Sequence, residues 1–335
     1  MVGSSLTFMT ASLASPHAML VIRRAVRKSL EKLEAGDRVI VACSGGADSL
    51  ALSYAISKEA EKLAIDVIGI TIDHQLQANS AEQALRVLEQ LTSMGISTSE
   101  ILRVEIDLTD GMEASARRAR YLALDAALEM HGATKVFLGH TLNDQAETVL
   151  LGLARGSGVR SLSGMAFDTG RYLRPLLALT REETEAACQE SGLSPWSDPQ
   201  NEDLSILRVR VRKEIIPILE STLGPGVVLA LARSAALARD DADALDDWAR
   251  TEFGTMQARS LEISRLVGLP RAVRTRILRL AIYDSGAPPG SLSADHITAV
   301  EALVSRWHGQ GEVSLPGGVK VGRLSGRLSL LPHPN

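Results

Sequence analysis

Between residues 38 and 140 the sequence passes back and forth between two periodicities. Short apolar runs rich in branched residues, at 39–43 (VIVAC), 67–72 (VIGITI), 101–106 (ILRVEI) and 136–139 (VFLG), are strand-length. Between them, stretches 48–64, 80–94 and 113–131 repeat their apolar residues every three or four positions, the spacing of one helix face. Strand and helix in alternation predict an α/β fold: a doubly wound parallel sheet covered on both faces, with ligands bound at the carboxyl ends of the strands.

The first run ends in Ser44-Gly45-Gly46-Ala47-Asp48-Ser49. Two glycines after a buried strand let the chain turn tightly and aim its amides at one point, and the helix that follows adds the positive end of its dipole, so an anion belongs there. A Walker A loop would place a lysine before its last hydroxyl, whereas Asp48 precedes Ser49. A carboxylate beside a phosphate repels it unless a cation lies between, which makes phosphate plus Mg2+ the chemistry of this turn. The plainer alternative is a Gly-Gly turn with Asp48 as a helix cap.

Other side chains gather near the same strand ends. Asp73 and His74 close the second run and His140 follows the fourth. Asp144 and Glu147 are three residues apart and share a helical face; together they could hold magnesium or an ammonium group. Arg117 and Arg120 share a face in the same way, and guanidinium groups suit phosphates or the charge that develops when a phosphorus is attacked. Arg208, Arg210 and Arg212 alternate with Leu207, Val209 and Val211, which by periodicity alone reads as a strand.

Length and composition bound the rest. A chain of 335 residues exceeds what one core usually holds, so a division near 215–222 is expected, with alanine-, leucine- and arginine-rich helices after it. The domains are read as a tail over 1–17, an α/β domain over 18–218 and a smaller, mainly helical domain over 219–335. The last of these ends in a short β segment with turns at Pro316-Gly317-Gly318 and Ser325-Gly326. The net charge of −4 gives no global attraction to nucleic acid, and 3% aromatic content leaves few platforms for stacking bases. A nucleic-acid site must then be a local patch, for which Arg274 and Arg276, among Arg265, Arg271 and Arg279, are the candidates; the nearby DDADALDD run reads as a solvated face. Cys43 and Cys188 form no CxxC pair and suit a reducing cytoplasm. No run reaches the roughly 18 apolar residues of a membrane span.

The Ser44–Ser49 turn resembles the pyrophosphate loop of the N-type ATP pyrophosphatases, which cleave ATP between its α and β phosphates and adenylate a carbonyl oxygen. GMP, NAD and asparagine synthetases share that loop. Three further stretches are similar to the tRNA(Ile)-lysidine synthetase family in its order: Ala116–Tyr121 (ARRARY), Gly139–Thr148 running on to Arg155–Gly158, and Asp198–Asn201 with Arg208, Arg210, Arg212 and Pro217. The chain departs from the family pattern at Asn143, Gln200 and Val209.

This resemblance implies an ATP-dependent carbon–nitrogen ligase. It would adenylate the wobble cytidine of a CAU-anticodon tRNA(Ile) with Mg-ATP and then join free L-lysine to it. Ser44, Gly45, Gly46, Ala47, Asp48, Ser49, Asp73, His74 and His140 are then expected at ATP, and Asp48 and Asp144 at the metal. Asp144 and Glu147 are expected at lysine, and Arg210, Arg212, Arg274 and Arg276 at tRNA. Asp48, Arg117, Arg120, Asp144, Glu147 and Arg208 would carry the chemistry. The resemblance also places 208–212 in a helix, so that Arg208 and Arg212 share a face and Arg210 points elsewhere. The alternatives are a tRNA thiolase using the same adenylation, which would need paired cysteines, and a nucleotide-binding module without catalysis. A homodimer is compatible with the sequence.

Overall fold

A computed structural model describes residues 17–75, 77, 79–105, 112–156 and 158–331; the expected tail before residue 17 lies outside them. Two compact units are present, residues up to Ala154 with Gly164–Arg233, and Arg155–Ser163 with the residues from Ser234 onward.

In the first unit a five-stranded, all-parallel sheet has the order β3-β2-β1-β4-β5, formed by β1 (Arg38–Ala42), β2 (Asp66–Asp73), β3 (Thr98–Arg103), β4 (Lys135–Leu138) and β5 (Tyr172–Leu173). Alternate residues of β1 serve opposite layers. Val39, Val41 and Cys43 pack with α1 (Ala18–Leu30), α2 (Ala47–Ala60) and α7 (Arg181–Glu190), and with Val87 and Leu91 of α3 (Ser80–Ser93). Ile40 packs with Leu124, Ala127 and Leu128 of α4 (Met112–Met130) on the other face. Both faces of β1 are dry, which is why its sequence reads as an unbroken apolar run. The order of the strands reverses between β1 and β4, so the carboxyl ends of these two strands flank the crevice where doubly wound sheets bind ligands.

The expected α/β sheet is therefore present, with differences at its margins. β3 begins at Thr98 instead of 101, because an edge strand tolerates the polar Thr98-Ser99-Glu100 that no apolar run announces. β5, at the other edge, is only two residues long and leaves no periodic signal. After α5 (Leu142–Ala154) and a short α6 (Val159–Leu162), the arginine segment is helical, as the family pattern implied and against its alternating periodicity. α8 (Leu207–Arg210) runs through a π-helical turn, Val211–Ile215, into α9 (Ile216–Leu223). The wider turn ends beside Pro217, whose missing N–H would interrupt an α ladder there.

The division between the units falls within α10 (Val227–Gly254). In the second unit α11 (Ile263–Val267), α12 (Arg271–Asp284) and α13 (Ala294–Ser305) share one apolar core with an antiparallel sheet of order β6-β9-β8-β7. Its strands are β6 (Ser260–Glu262), β7 (Val313–Ser314), β8 (Lys320–Leu324) and β9 (Arg327–Leu331). The expected Ser325-Gly326 turn joins β8 to β9, with φ of +48° and +74°, the paired positive values of a tight hairpin. No single helix among the described residues is long and apolar enough to cross a membrane.

Candidate active site

The turn after β1 is closed by one hydroxyl. Ser49 Oγ accepts the Ser44 N–H at 3.1 Å and donates to the Gly46 carbonyl at 3.0 Å, drawing the loop back on the first turn of α2. Gly46, in extended conformation, is the N-cap and gives no side-chain bond, so Asp48 is not the cap. Two glycines are required sterically. Gly45 has φ +84°, and a Cβ there would stand 2.8 Å from Val87 Cγ2. Gly139, just past β4, would place a Cβ 3.0 Å from the Asp48 carbonyl carbon and oxygen; this close approach brings the ends of β1 and β4 together.

A cleft of about 930 Å³ opens over these strand ends. Of the expected nucleotide residues, Ser44, Gly46, Ala47, Asp48, Ser49, Asp73, His74 and His140 line it, whereas Gly45 is turned away and accepts the Trp196 N–H on its carbonyl at 2.9 Å. Asp73 is buried and takes the Gln75 N–H at 2.9 Å. The Nδ1 atoms of His74 and His140 are buried without a hydrogen-bond partner. Burial, with Arg120 nearby, pushes His74 down to about 4. Burial, joined by Arg174, Arg117 and Arg208, pushes His140 down to about 3. Both rings are thus neutral at pH 7.

Asp48 and Asp144 face the same space and are joined by a residue that sequence reasoning missed. Arg181, the first residue of α7, lies with Nε 3.6 Å from Asp48 Oδ2 and Nη2 3.4 Å from Asp144 Oδ1. Thr184 donates to the other oxygen of Asp48. Asp144 accepts the backbone N–H and hydroxyl of Thr141 at 2.8 and 3.1 Å. Side chains of Asp48 and Asp144 keep 21% and 12% of their exposure, enough to reach a ligand. Burial raises the Asp48 carboxyl, with Arg181 and Thr184 acting against it. Burial works the same way on Asp144, but Arg181, the Thr141 N–H and Arg208 act against it, and that carboxyl lies below the usual range. Two carboxylates on one wall, with room for phosphate oxygens, fit a magnesium ion that takes its remaining ligands from a nucleotide and water. Arg181, Glu185 and Gln189, four apart on α7, all line the cleft.

The cationic wall is only partly as expected. Arg120 lines the cleft and makes no ion pair or hydrogen bond with any described residue; burial lowers its basicity, and Arg117 adds to the effect. Arg117 lies elsewhere, exposed and stacked 4.9 Å from the centre of the Tyr121 ring, so the shared helical face does not bring both guanidinium groups to the cleft.

Glu147 also differs from expectation. Its side chain has 0% exposure and does not line the cleft; Arg212 takes Oε1 at 2.6 Å and Oε2 at 3.2 Å. Arg208 Nε approaches Oε2 to 3.2 Å without hydrogen-bond alignment, while its Nη2 donates to Thr148 at 2.8 Å. The face shared by Asp144 and Glu147 turns from cleft to interior within one helical turn, so only Asp144 of the two lines the cleft. Arg208 and Arg212 line the cleft with Glu147 buried behind them, and Arg210 is exposed.

In the second unit Arg274 is 11% exposed, 2.6 Å from Glu301, and bonded to the Leu269 carbonyl at 3.1 Å. Arg276 holds Asp246 at 2.5 Å, and Arg160 pairs with Asp243 at 2.6 Å and with Asp246. Arg274 and Arg276 are thus committed to internal pairs; the acidic run is a largely solvated face as expected, with Asp240, Asp241, Asp243 and Asp247 exposed, while Asp246 partners Arg276 and Arg160. Arg271 and Arg279 are exposed, and neither has an ion pair with a described residue.

Comparison with known proteins agrees with this geometry. Residues 19–219 match the model of the PP-loop domain, and residues 261–329 match the model of the TilS substrate binding domain. The tRNA(Ile)-lysidine synthase of Streptomyces coelicolor is 52% identical over 295 residues, covering 87% of this chain and 84% of that protein. That of Thermobifida fusca is 48% identical over 316 residues, covering 93% and 97%. Among solved structures, the U34-tRNA thiolase NcsA from Methanococcus maripaludis has a TM-score of 0.57 at 18% identity, over 67% of this chain and 81% of that one, a likeness of fold alone. A PP-loop domain, a matching substrate-binding domain and near full-length identity all point the same way: the chain belongs to the tRNA(Ile)-lysidine synthase family.

Proposed function

We propose that the protein adenylates the C2 oxygen of the wobble cytidine in a CAU-anticodon tRNA(Ile) and then replaces the adenylate with lysine. The observation that carries this reading is the meeting, in one cleft, of the Ser44–Ser49 turn with Asp48, Asp144 and the unpaired Arg120. The cytidine oxygen attacks the α phosphorus of ATP, and pyrophosphate leaves. The ε-amine of lysine, in its neutral form, then adds at C2, AMP departs with the C–O electron pair, and the amine gives up a proton. Activation is needed because the C2 oxygen is a poor leaving group until it carries AMP.

Each residue has a task in this scheme. Amides of the turn and the start of α2 bind the departing phosphates. Bound magnesium would neutralise phosphate charge between Asp48 and Asp144. Arg120, near neutral His74 on the cleft wall, faces the charge that grows on the α phosphate; burial lowers its basicity and strengthens that interaction. Asp144 serves in both halves: its charge first supports the metal, and after pyrophosphate leaves it receives the lysine ammonium, whose ordinary pKa is about 10.4. Arg208 and Arg212 are held on the cleft wall by Glu147, which therefore acts through them. Exposed Arg210, Arg271 and Arg279, which have no ion pair with a described residue, are cations that could meet tRNA phosphates.

A sulfur-transfer reading finds no support in the thiols. Cys43 and Cys188 are buried; burial raises both, and pushes Cys188 to about 12, so neither is a ready nucleophile. Buried unpaired thiols suit a cytoplasmic enzyme. The test is to incubate the protein with Mg-ATP, labelled lysine and total tRNA, and digest to nucleosides. Label on a cytidine derivative is expected; none, with pyrophosphate still released, would defeat the lysine step.

A further inference from the structure

Arg181 has no task in the scheme above, yet it holds the central position. A cation at the first residue of a helix opposes the helix dipole, so its placement there has to be supported from outside the helix. Here the support is Asn143, whose Oδ1 accepts the Arg181 backbone N–H at 3.0 Å. The guanidinium stands between Asp48 and Asp144 at 3.6 and 3.4 Å, well beyond the 2.7–2.9 Å or so of a tight charge-assisted bond. Each carboxylate has closer partners of its own, Thr184 for Asp48 and Thr141 for Asp144. Arg181 is therefore centred between two anions without being locked to either.

We infer that Arg181 is a placeholder cation: it occupies the position between Asp48 and Asp144 in the nucleotide-free protein, keeps a bare divalent ion from settling there, and turns to the phosphates when nucleotide and metal arrive together. The inference rests on Asp48 and Asp144 being the magnesium carboxylates. Two carboxylates facing one cavity repel, and the guanidinium of Arg181 between them relieves this; Arg212 also comes within 3.6 Å of Asp144, but its nearer partner is Glu147 at 2.6 Å. A bare ion would have to expel the guanidinium into the cleft with no new anion to meet it. A metal-nucleotide brings that anion, so the exchange becomes favourable only with both present. Asn143 suits this design: its amide oxygen fixes the backbone at Arg181 without adding a further negative charge at the start of α5.

The test uses Mn2+ as the metal alone, titrated into the nucleotide-free full-length protein and followed by the EPR signal of the free ion. Arg181→Gln is expected to tighten Mn2+ binding about tenfold or more, since it removes a unit charge from beside the site. Arg181→Lys is expected to restore weak binding. Asn143→Ala, which keeps the charge but frees its anchor, is expected to tighten binding by a smaller factor and serves if Arg181→Gln does not fold. With adenosine 5′-(α,β-methylene)triphosphate present, Arg181→Gln should bind nucleotide about tenfold more weakly. Mn2+ affinity that is unchanged or reduced in both Arg181→Gln and Asn143→Ala overturns the inference. Failure of the metal assignment is distinguishable, because nucleotide-dependent Mn2+ binding would then survive in Asp48→Asn and Asp144→Asn.

Discussion

Arg212 grips Glu147 with two nitrogens, Nε at 2.6 Å and Nη2 at 3.2 Å, in a place closed to solvent. Glu147→Gln keeps the shape but removes the counter-charge of Arg208 and the nearer one of Arg212, which retains only Asp144 at 3.6 Å; the loss costs up to about 3 kcal/mol for a buried pair of this kind. Urea unfolding should register that loss. Adenylation and lysine transfer should fall together as both arginines shift on the cleft wall. A variant of normal stability with only its lysine constant raised would instead make Glu147 a direct lysine ligand.

Gly139 predicts a steric failure at a distance from any ligand atom. A methyl group there meets the Asp48 carbonyl at 3.0 Å and Ser49 Cα at 3.1 Å, both backbone, so the turn after β1 has to move. Gly139→Ala should cost about 1–3 kcal/mol of stability and weaken ATP binding at least tenfold by calorimetry. Wild-type ATP affinity would mean the turn yields without consequence.

The second unit contains arginines held in internal pairs and exposed arginines without an ion pair to a described residue. Arg274→Ala strands Glu301 in the core, so the thermal midpoint should drop while the salt dependence of tRNA binding stays as in the parent. Arg271→Ala with Arg279→Ala should do the reverse, flattening the slope of log affinity against log salt by about 1 to 2 with stability unaltered. An unchanged slope would remove that face from the tRNA interface.

Stability should depend on pH through the cleft histidines. His140 and His74 fold with values near 3 and 4, below the ordinary 6.5. The unfolded chain therefore binds the extra protons first, and their contribution, full above about 6.5, is lost as pH falls toward 4. Asp48, raised by burial, acts in the opposite direction and offsets part of the fall. Urea midpoints between pH 7 and 4.5 should decline less steeply in His140→Gln than in the parent; equal slopes would mean His140 is not held neutral.

How much of this was legible in the sequence follows from where the information sits. The sheet and the phosphate turn were readable because β1 is dry on both faces and because Gly45, Gly46 and Asp48 have few other uses together. The wall formed by α7 was not read. Its marks were present: Thr180 and Glu183 form a capping box that announces a helix start, and an arginine immediately after, against the dipole, called for an anion to face. The burial of Glu147 was not legible, because spacing says which residues share a helix face and not whether that face meets a cleft or the interior. Arg274 and Arg276 could not be told from Arg271 and Arg279 without knowing that Glu301 and Asp246 return to meet them.

The amides of Ala18 and Met19 at the start of α1 both end on the carboxylate of Glu190, at 3.0 Å each. On the ribosome the first helix emerges about 170 residues before its acceptor, an interval of roughly 10 to 30 s at ordinary elongation rates. Throughout that time its stripe of Ile22, Val26 and Leu30 has no α7 to pack on. The Gly45 carbonyl likewise waits for Trp196. In the nascent chain α2 can cover one side of this helix early, but its α7 side and the amides at its start stay open until Glu190 is made, so the packing of α1 is completed only when the first unit is nearly whole.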